Sequence, residues 1–513
     1  MRRSISQQPA AGHSQRRAVV RISRIQSPVY ISSGTFVACA TKVPDILSHT
    51  RQNIRYSSSG DNMLKRKVYQ KLLEWKRSPG KKALCLTGAR QTGKSTIARE
   101  FGHNEYECVI EINFIEHPEY KSDFSLPDPD RILLLAASHA DVTVVPGNTL
   151  LILDEIQECP EARTAVKFLV ENGTVDILET GSLLGVNLHE VRSYPVGFEQ
   201  IEPMFPLDFE EFLWAVGTKQ ETIQYLHDCY TNLEPVAESL HSRFLELYYR
   251  YLIIGGMPEA VQMYVNTLNL SDVNMVQKRI MDLYRLDIIK YAKDEEKIRI
   301  SGIFDSIPAQ LDEKNKRFIL TKVRKTARME RYENSFLWLK EAGVALPSYN
   351  LSELKLPLLL NEKRNLFRLF LCDTGLLAST FSAEIQYQIL QGNLQINFGA
   401  VVENAVAQAL VSKELSLHYY DNKKTELDFV VQQGSSLDIL EIKSGNDYGS
   451  HPSLTRVLAS HDSEIRQAIV VCKGNLQKSE NILYLPFYML MFYQQKDAQN
   501  FVLLQDARRL FGL

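Results

Sequence analysis

The chain has 513 residues, 44% hydrophobic and 23% charged, with a formal net charge of −2. This is the composition of an ordinary globular protein of about three modules, and it excludes collagen-like, coiled-coil and wholly disordered classes. No apolar run approaches the roughly 18 residues of a membrane-spanning helix, so no membrane partner is expected.

Charge is unevenly spread: residues 1–60 hold eight Arg, one Lys and one Asp, leaving 50 basic against 60 acidic residues in the rest. This Ser- and Arg-rich stretch has no apolar period and is expected to be unfolded. Residues 1–62 read either as an organelle-targeting segment or as an extension ahead of a start at Met63. The seven cysteines form no Cys-x-x-Cys pair and no cluster at zinc spacing. They read as separate reduced thiols of an intracellular chain, expected in the cytoplasm unless the first segment targets an organelle.

Patterning begins at Met63, where Leu64, Val68, Leu72 and Leu73 recur at helical spacing up to Pro79-Gly80. ALCLT from Ala83 predicts a strand, GARQTGKSTIAREF a loop entering a helix, YECVIEINF from Tyr106 a strand, and DRILLLAASH a helix. TLLILDE from Thr149 and VDILETGS from Val175 predict two more strands. Strands alternating with helices over 63–208 predict a mainly parallel sheet covered on both faces. Residues 209–298 are helical in pattern. Over 299–380, a helix, a short extended piece at Arg317 to Leu320, a helix closed by Gly343, and the strands VALPSYNLS and LFRLFLCD predict a winged-helix region. Within it Lys314, Lys316, Arg317, Lys322, Arg324, Lys325, Arg328 and Arg331 face one acid, Glu330. That run is either a solvated face or a contact for the DNA phosphate backbone. Residues 398–513 open with the helix GAVVENAVAQALV, continue through the strands ELDFVV and LDILEIK, and predict a second small α/β unit.

Gly88 to Ser95 fits G-x-x-x-x-G-K-[ST] between a predicted strand and a predicted helix. Gly88, Ala89, Arg90, Gln91, Thr92, Gly93, Lys94, Ser95 and Thr96 are the expected ATP-binding set. The backbone N–H groups face the phosphates, Lys94 supplies charge to the β and γ phosphates, and the Ser95 hydroxyl ligates Mg²⁺. LLILDE ends a buried strand in Asp154, suited to Mg²⁺ through water, and Glu155, suited to polarise the attacking water. Thr180 to Ser182 either orient the same water or simply terminate a strand. Arg90, Arg192, Arg279 and Arg285 are candidate charge stabilisers, and the spacing does not choose among them.

Asp428 is followed by Glu441 and Lys443, with Gly434-Ser435-Ser436 as a turn between two strands. Residues two apart on a strand share a face, so Glu441 and Lys443 project together beside Asp428. Asp428 and Glu441, with Glu403 on the preceding helix as a third acid, are a candidate Mg²⁺ site, and Lys443 a candidate to position or activate water against a phosphodiester. Alternating charges on a half-exposed structural hairpin produce the same pattern.

GARQTGKS, LLILDEIQ, ETGSLLGV, YPVGFEQIEPMFPLDFEEFL and YLIIGGMPEAV together resemble the prokaryotic AAA-type ATPases whose C-terminal half is the domain of unknown function numbered 4143. The resemblance runs from Met63 to the C-terminus. It implies an α/β protein with an AAA-like P-loop core, a helical and winged-helix middle, and a C-terminal α/β domain similar to PD-(D/E)XK, restriction-endonuclease-like enzymes. Glu403, Asp428, Glu441 and Lys443 match that superfamily's helix Glu, Asp and E-x-K. A homo-oligomer in which a neighbour lends an arginine is implied as well. The expected function is Mg-dependent ATP hydrolysis acting on DNA through the C-terminal half. An ATP-gated nuclease and a nucleotide-switched DNA-binding scaffold are the alternatives.

Overall fold

Strands β1 (Ala83–Thr87), β2 (Cys108–Asn113), β3 (Thr149–Asp154), β4 (Asp176–Thr180) and β5 (Glu199–Pro203) form one sheet in the order β2-β3-β4-β1-β5, with every pairing parallel. The computed structural model describes residues 63–182, 197–313, 317–393, 398–461 and 464–494. The expectations for residues 1–62, Arg192, Lys314, Lys316 and the stretch after 494 lie outside the described residues.

The five strands are apolar on both sides because helices cover both faces. On one face Leu84, Leu86 and Ile152 pack with Leu72, Trp75 and Phe101; on the other Cys85, Leu151 and Leu153 pack with Leu133, Val166 and Leu169. The six described cysteines are all buried free thiols. Parallel pairing gathers the carboxyl ends of all five strands at one edge, where an open α/β sheet takes its ligands.

Six helices follow, from Phe209–Ala215 to Asp294–Leu311. The boundary expected at 298/299 falls inside the last of them, because its apolar face (Ile300, Ile303, Phe304, Ile307) is continuous with the core beneath the preceding helices. Among the described residues no helix is long and apolar enough to cross a membrane.

The second sheet holds β6 (Ala345–Leu351), β7 (Glu362–Leu371), β8 (His418–Asp421), β9 (Glu426–Gln433), β10 (Ser436–Lys443), β11 (Ile465–Cys472), β12 (Gln477–Ser479) and β13 (Ile482–Pro486), in the order β12-β13-β11-β10-β9-β8-β6-β7. Here the structure corrects the winged-helix expectation. β6 and β7 pair antiparallel as a wing would, but β6 also pairs in parallel with β8 through Tyr349↔His418 and Asn350↔Tyr419. An exposed β6 edge would leave backbone groups unpaired, and joining β8 satisfies them. The two strands therefore belong to the C-terminal mixed sheet, and no division between 380 and 398 separates them from it. Of the short extended piece expected at Arg317 to Leu320, Ile319 is extended (φ −105°, ψ 101°) and the Phe318 N–H donates to Phe367 O on β7 (2.8 Å), while Leu320 already opens the helical turn Leu320–Val323.

Candidate nucleotide site and a second acidic cluster

The loop Gly88 to Ser95 leaves β1 and enters the helix Lys94–Glu105. Gly88 has φ +131°, and a Cβ there would lie 2.2 Å from the Met204 carbonyl oxygen, so only glycine lets β5's continuation close against the loop. Thr92 is fully buried and its hydroxyl donates to Ala89 O (3.0 Å). Lys94, 7% exposed, donates from Nζ to Gly88 O (3.1 Å) and Ala89 O (2.8 Å). Burial lowers its pKa to about 8, against the pull of Glu155 and Asp154. The ammonium thus rests on neutral carbonyls of its own loop.

β4 lies between β1 and β3, a placement the sequence reading did not anticipate. Its last residue, Thr180, consequently sits inside the site. The Thr180 hydroxyl donates to Asp154 Oδ1, which also accepts from Ser95 Oγ (2.6 Å); Asn113 Nδ2 donates to Asp154 Oδ2 (2.9 Å). A hydroxyl beside a buried carboxylate suits a small hard cation, so Ser95 and Asp154 fit Mg²⁺. Glu155 takes the left-handed conformation (φ 54°, ψ 47°), a strained choice for a residue with a Cβ. Its carboxylate accepts from Gln157 Nε2 and, at 3.5 Å, from Ser182 Oγ. Both hydroxyls at the end of β4 therefore touch the acidic pair. Gln91 and Thr96 belong to the loop and first helical turn, Gln91 with φ 67°.

Arg66 was missed. It donates to Thr92 O (2.9 Å) and Phe205 O (2.6 Å) and pairs with Glu211 (3.2 Å), fixing the outside of the loop. Of the candidate stabilising arginines, Arg279 pairs with Glu259, Arg285 with Asp282 and Asp305, and Arg90 with Asp287. Tyr284 OH also donates to Arg90 O (2.9 Å), and Gly343 (φ +70°) lies so near the loop that a Cβ would be 2.9 Å from the Ala89 nitrogen. Between them Arg90, Ser182, Tyr284, Asp287, Trp338 and Val344 line a small cleft.

The second cluster lies on the C-terminal sheet. β9 and β10 form the expected hairpin, with Leu440 opposite Phe429. The acids are not on a half-exposed face: Glu403, Asp428 and Glu441 are 3%, 9% and 8% exposed. Lys443 Nζ pairs with Glu441 Oε1 (3.0 Å). Glu441 Oε2 is buried without a hydrogen-bond partner; burial, helped by Asp428, raises the carboxyl to a pKa of about 7.

Beside Asp428 stands a residue the sequence reading overlooked. Arg368 of β7, 2% exposed, reaches past β6 and β8, lies 4.4 Å over the Tyr419 ring, and donates to Glu426 and to Asp428 Oδ1 (3.4 Å). Asp428 Oδ2 accepts the Ile442 N–H (2.9 Å), so both oxygens of that acid are engaged. Burial opposes the charge on Arg368, but Asp428, Glu403 and Glu426 outweigh it and hold its pKa above the ordinary value. Among the described residues, oxygens of Glu403, Asp428 and Glu441 do not all come within 4.8 Å of one another. These acids do not fit the expected Mg²⁺ shell, because Arg368 and the Ile442 N–H already take the two oxygens of Asp428 and Lys443 takes one of Glu441.

The parallel sheet, the phosphate loop and the acidic end of β3 define a P-loop ATPase core. Three family profiles match the chain: an AAA domain over residues 80–213, a domain of unknown function (DUF8612) over 245–386, and another (DUF4143) over 398–490. The chain therefore carries an AAA-type ATPase domain followed by a C-terminal DUF4143 domain. No curated protein matches it. Solved structures similar to it include a Walker-type ATPase of Pyrococcus abyssi (15% identity, 64% of this chain and 98% of that one, TM-score 0.37). Cdc6p of Pyrobaculum aerophilum is 12% identical over 68% of this chain and 98% of that one (TM-score 0.23). The Orc1 protein of Aeropyrum pernix, solved in complex with DNA, is 12% identical over 64% and 90% (TM-score 0.23).

Proposed function

We propose that the chain binds and hydrolyses ATP with Mg²⁺ at the Gly88 to Ser95 loop, and that the nucleotide state controls a DNA-binding surface on the middle segment. The observation that carries this reading is the convergence of Lys94, Ser95, Asp154 and Glu155 at one sheet edge, with Ser95 Oγ 2.6 Å from Asp154 Oδ1. On nucleotide entry Lys94 exchanges two neutral carbonyls for charged phosphate oxygens, and charge-assisted bonds are roughly twice as strong as neutral ones. Ser95 and Asp154 are the residues to hold Mg²⁺, which when bound neutralises charge on the phosphates. Glu155 accepts the proton of the attacking water, and Gln157 and Ser182 hold its carboxylate in place.

Control is supported by the contacts behind the loop. Ala89 and Arg90 touch Gly343, Tyr284 and Asp287, and Gly343 leads directly into β6 of the second sheet. A loop that moves to admit phosphate must shift these packed neighbours. Arg317, Lys322, Arg324, Lys325, Arg328 and Arg331 are exposed on the segment that runs against β7, a stripe suited to duplex phosphates. DNA cleavage is not included, because Asp428 is already engaged by Arg368 and the Ile442 N–H.

The test follows phosphate release and duplex binding together in wild type, Lys94→Ala and Glu155→Gln. The reading expects Lys94→Ala to lose nucleotide binding and Glu155→Gln to keep ATP without turnover. Duplex affinity should differ between the ATP and ADP forms. Normal hydrolysis by either variant would remove the site assignment; equal duplex affinity in both nucleotide states would remove the control.

A further inference from the structure

Three buried acids, Glu403, Asp428 and Glu441, meet where β9, β10 and the helix Phe398–Val411 converge, with the exposed Glu426 at the rim, and burying the three together requires compensating positive charge. A divalent ion or a protein cation can supply it. The chain supplies Arg368, whose planar fork engages Glu426 and Asp428 while its face stacks on Tyr419. The same device occurs behind the first sheet, where buried Arg163 pairs with Glu179 (3.0 Å) and Glu199 (2.6 Å), beside Cys85. Arg163 thus stands among three residues whose ligand atoms lie within 4.8 Å of one another.

We propose that Arg368 is the resident cation of the C-terminal acidic cluster: its guanidinium takes Asp428 Oδ1, the oxygen that the Ile442 N–H leaves free and that a divalent ion would need, and its removal opens a metal site on Asp428 and Glu441. The proposal does not depend on the ATPase reading, since β7, β9 and β10 lie outside the nucleotide loop. It makes the wild-type cluster a structural centre joining β7 to the β9–β10 hairpin, with no hydrolytic metal. The arrangement of acids remains one substitution away from binding one.

The experiment titrates Mn²⁺ into nucleotide-free, full-length protein and reads free Mn²⁺ by electron paramagnetic resonance. Ions at the nucleotide site are removed with Asp154→Asn in every sample. The first comparison is between otherwise wild-type protein and Asp428→Asn, and the two isotherms should coincide. A Mn²⁺ site present in the first and lost in the second overturns the proposal. The second comparison introduces Arg368→Met, which keeps length and volume while removing the charge. It should gain one Mn²⁺ site at least about tenfold tighter than any in the parent, lost again on adding Asp428→Asn. No gain in a folded Arg368→Met protein equally overturns the proposal, because something other than Arg368 then excludes the ion. If Arg368→Met is insoluble alone, refolding with and without Mn²⁺ decides the matter: recovery only with the ion supports the proposal, and failure in both contradicts it.

Discussion

At the phosphate loop a buried lysine rests on two backbone carbonyls, whereas on the second sheet a buried arginine rests on two carboxylates. Each site joins a buried cation to acids at strand ends, yet they are prepared for different things. Lys94 rests on carbonyls, and Asp154 holds two hydroxyls and an amide with Arg99 no nearer than 3.7 Å, so most of these partners are neutral groups that a charged ligand can replace at little cost. Arg368 is partnered by two carboxylates, and a ligand at Asp428 would have to break the buried Arg368–Asp428 pair. Burial of charge is therefore a poor guide to function by itself; what matters is whether the partner is charged.

The sharpest way to break this contrast is to remove each cation and measure stability. Arg368→Ala should cost about 3–5 kcal/mol in urea unfolding, because it strands the buried Asp428 carboxylate. Lys94→Ala should cost less, about 1–2 kcal/mol, since its hydrogen-bond partners are neutral carbonyls. Equal costs would erase the distinction. Turnover should reverse the ranking. Glu155→Gln should lower kcat by about 100- to 1000-fold with ATP still bound, while Lys443→Ala should leave phosphate release unchanged.

The pH dependence tests the lysine more finely. Lys94 titrates near 8 when nucleotide is absent, and bound phosphates favour its charged form. Binding above pH 8 therefore takes up a proton, and ATP affinity should fall by about tenfold per pH unit from there towards the ordinary lysine range. For the nucleotide-free protein the sign is opposite. The unfolded chain keeps its proton up to 10.5, so this group's contribution to stability rises between pH 8 and 10.5. Calorimetric titration of wild type and Lys94→Ala across that window would show the first slope only in wild type.

Smaller effects probe the join between the regions. Gly343→Ala places a methyl 2.9 Å from the Ala89 nitrogen at φ +70°, and should cost about 1–3 kcal/mol while changing ATP affinity severalfold. An unchanged affinity would mean the loop does not feel the second sheet. Replacing Arg324, Lys325 and Arg328 with Ala should flatten the salt dependence of duplex binding by about 2.7 in log–log slope. A slope equal to that of wild type would return the segment to an ordinary solvated face.

The sequence alone determined the features written in neighbouring residues. The phosphate loop, the apolar strand ending in Asp154 and Glu155, the alternation that makes the first sheet parallel, and the β9–β10 hairpin all depend on local spacing and periodicity. Tertiary structure decided which distant residues complete each site. Arg66 meets Glu211 across 145 positions, Arg368 meets Asp428 across 60, and Thr180 enters the nucleotide site only because β4 is inserted between β1 and β3. β6 and β7 became part of the C-terminal sheet through pairing with β8, a choice made by unsatisfied backbone edges and buried apolar faces. Such contacts leave no periodic mark on the chain, because they arise from the packing of whole elements.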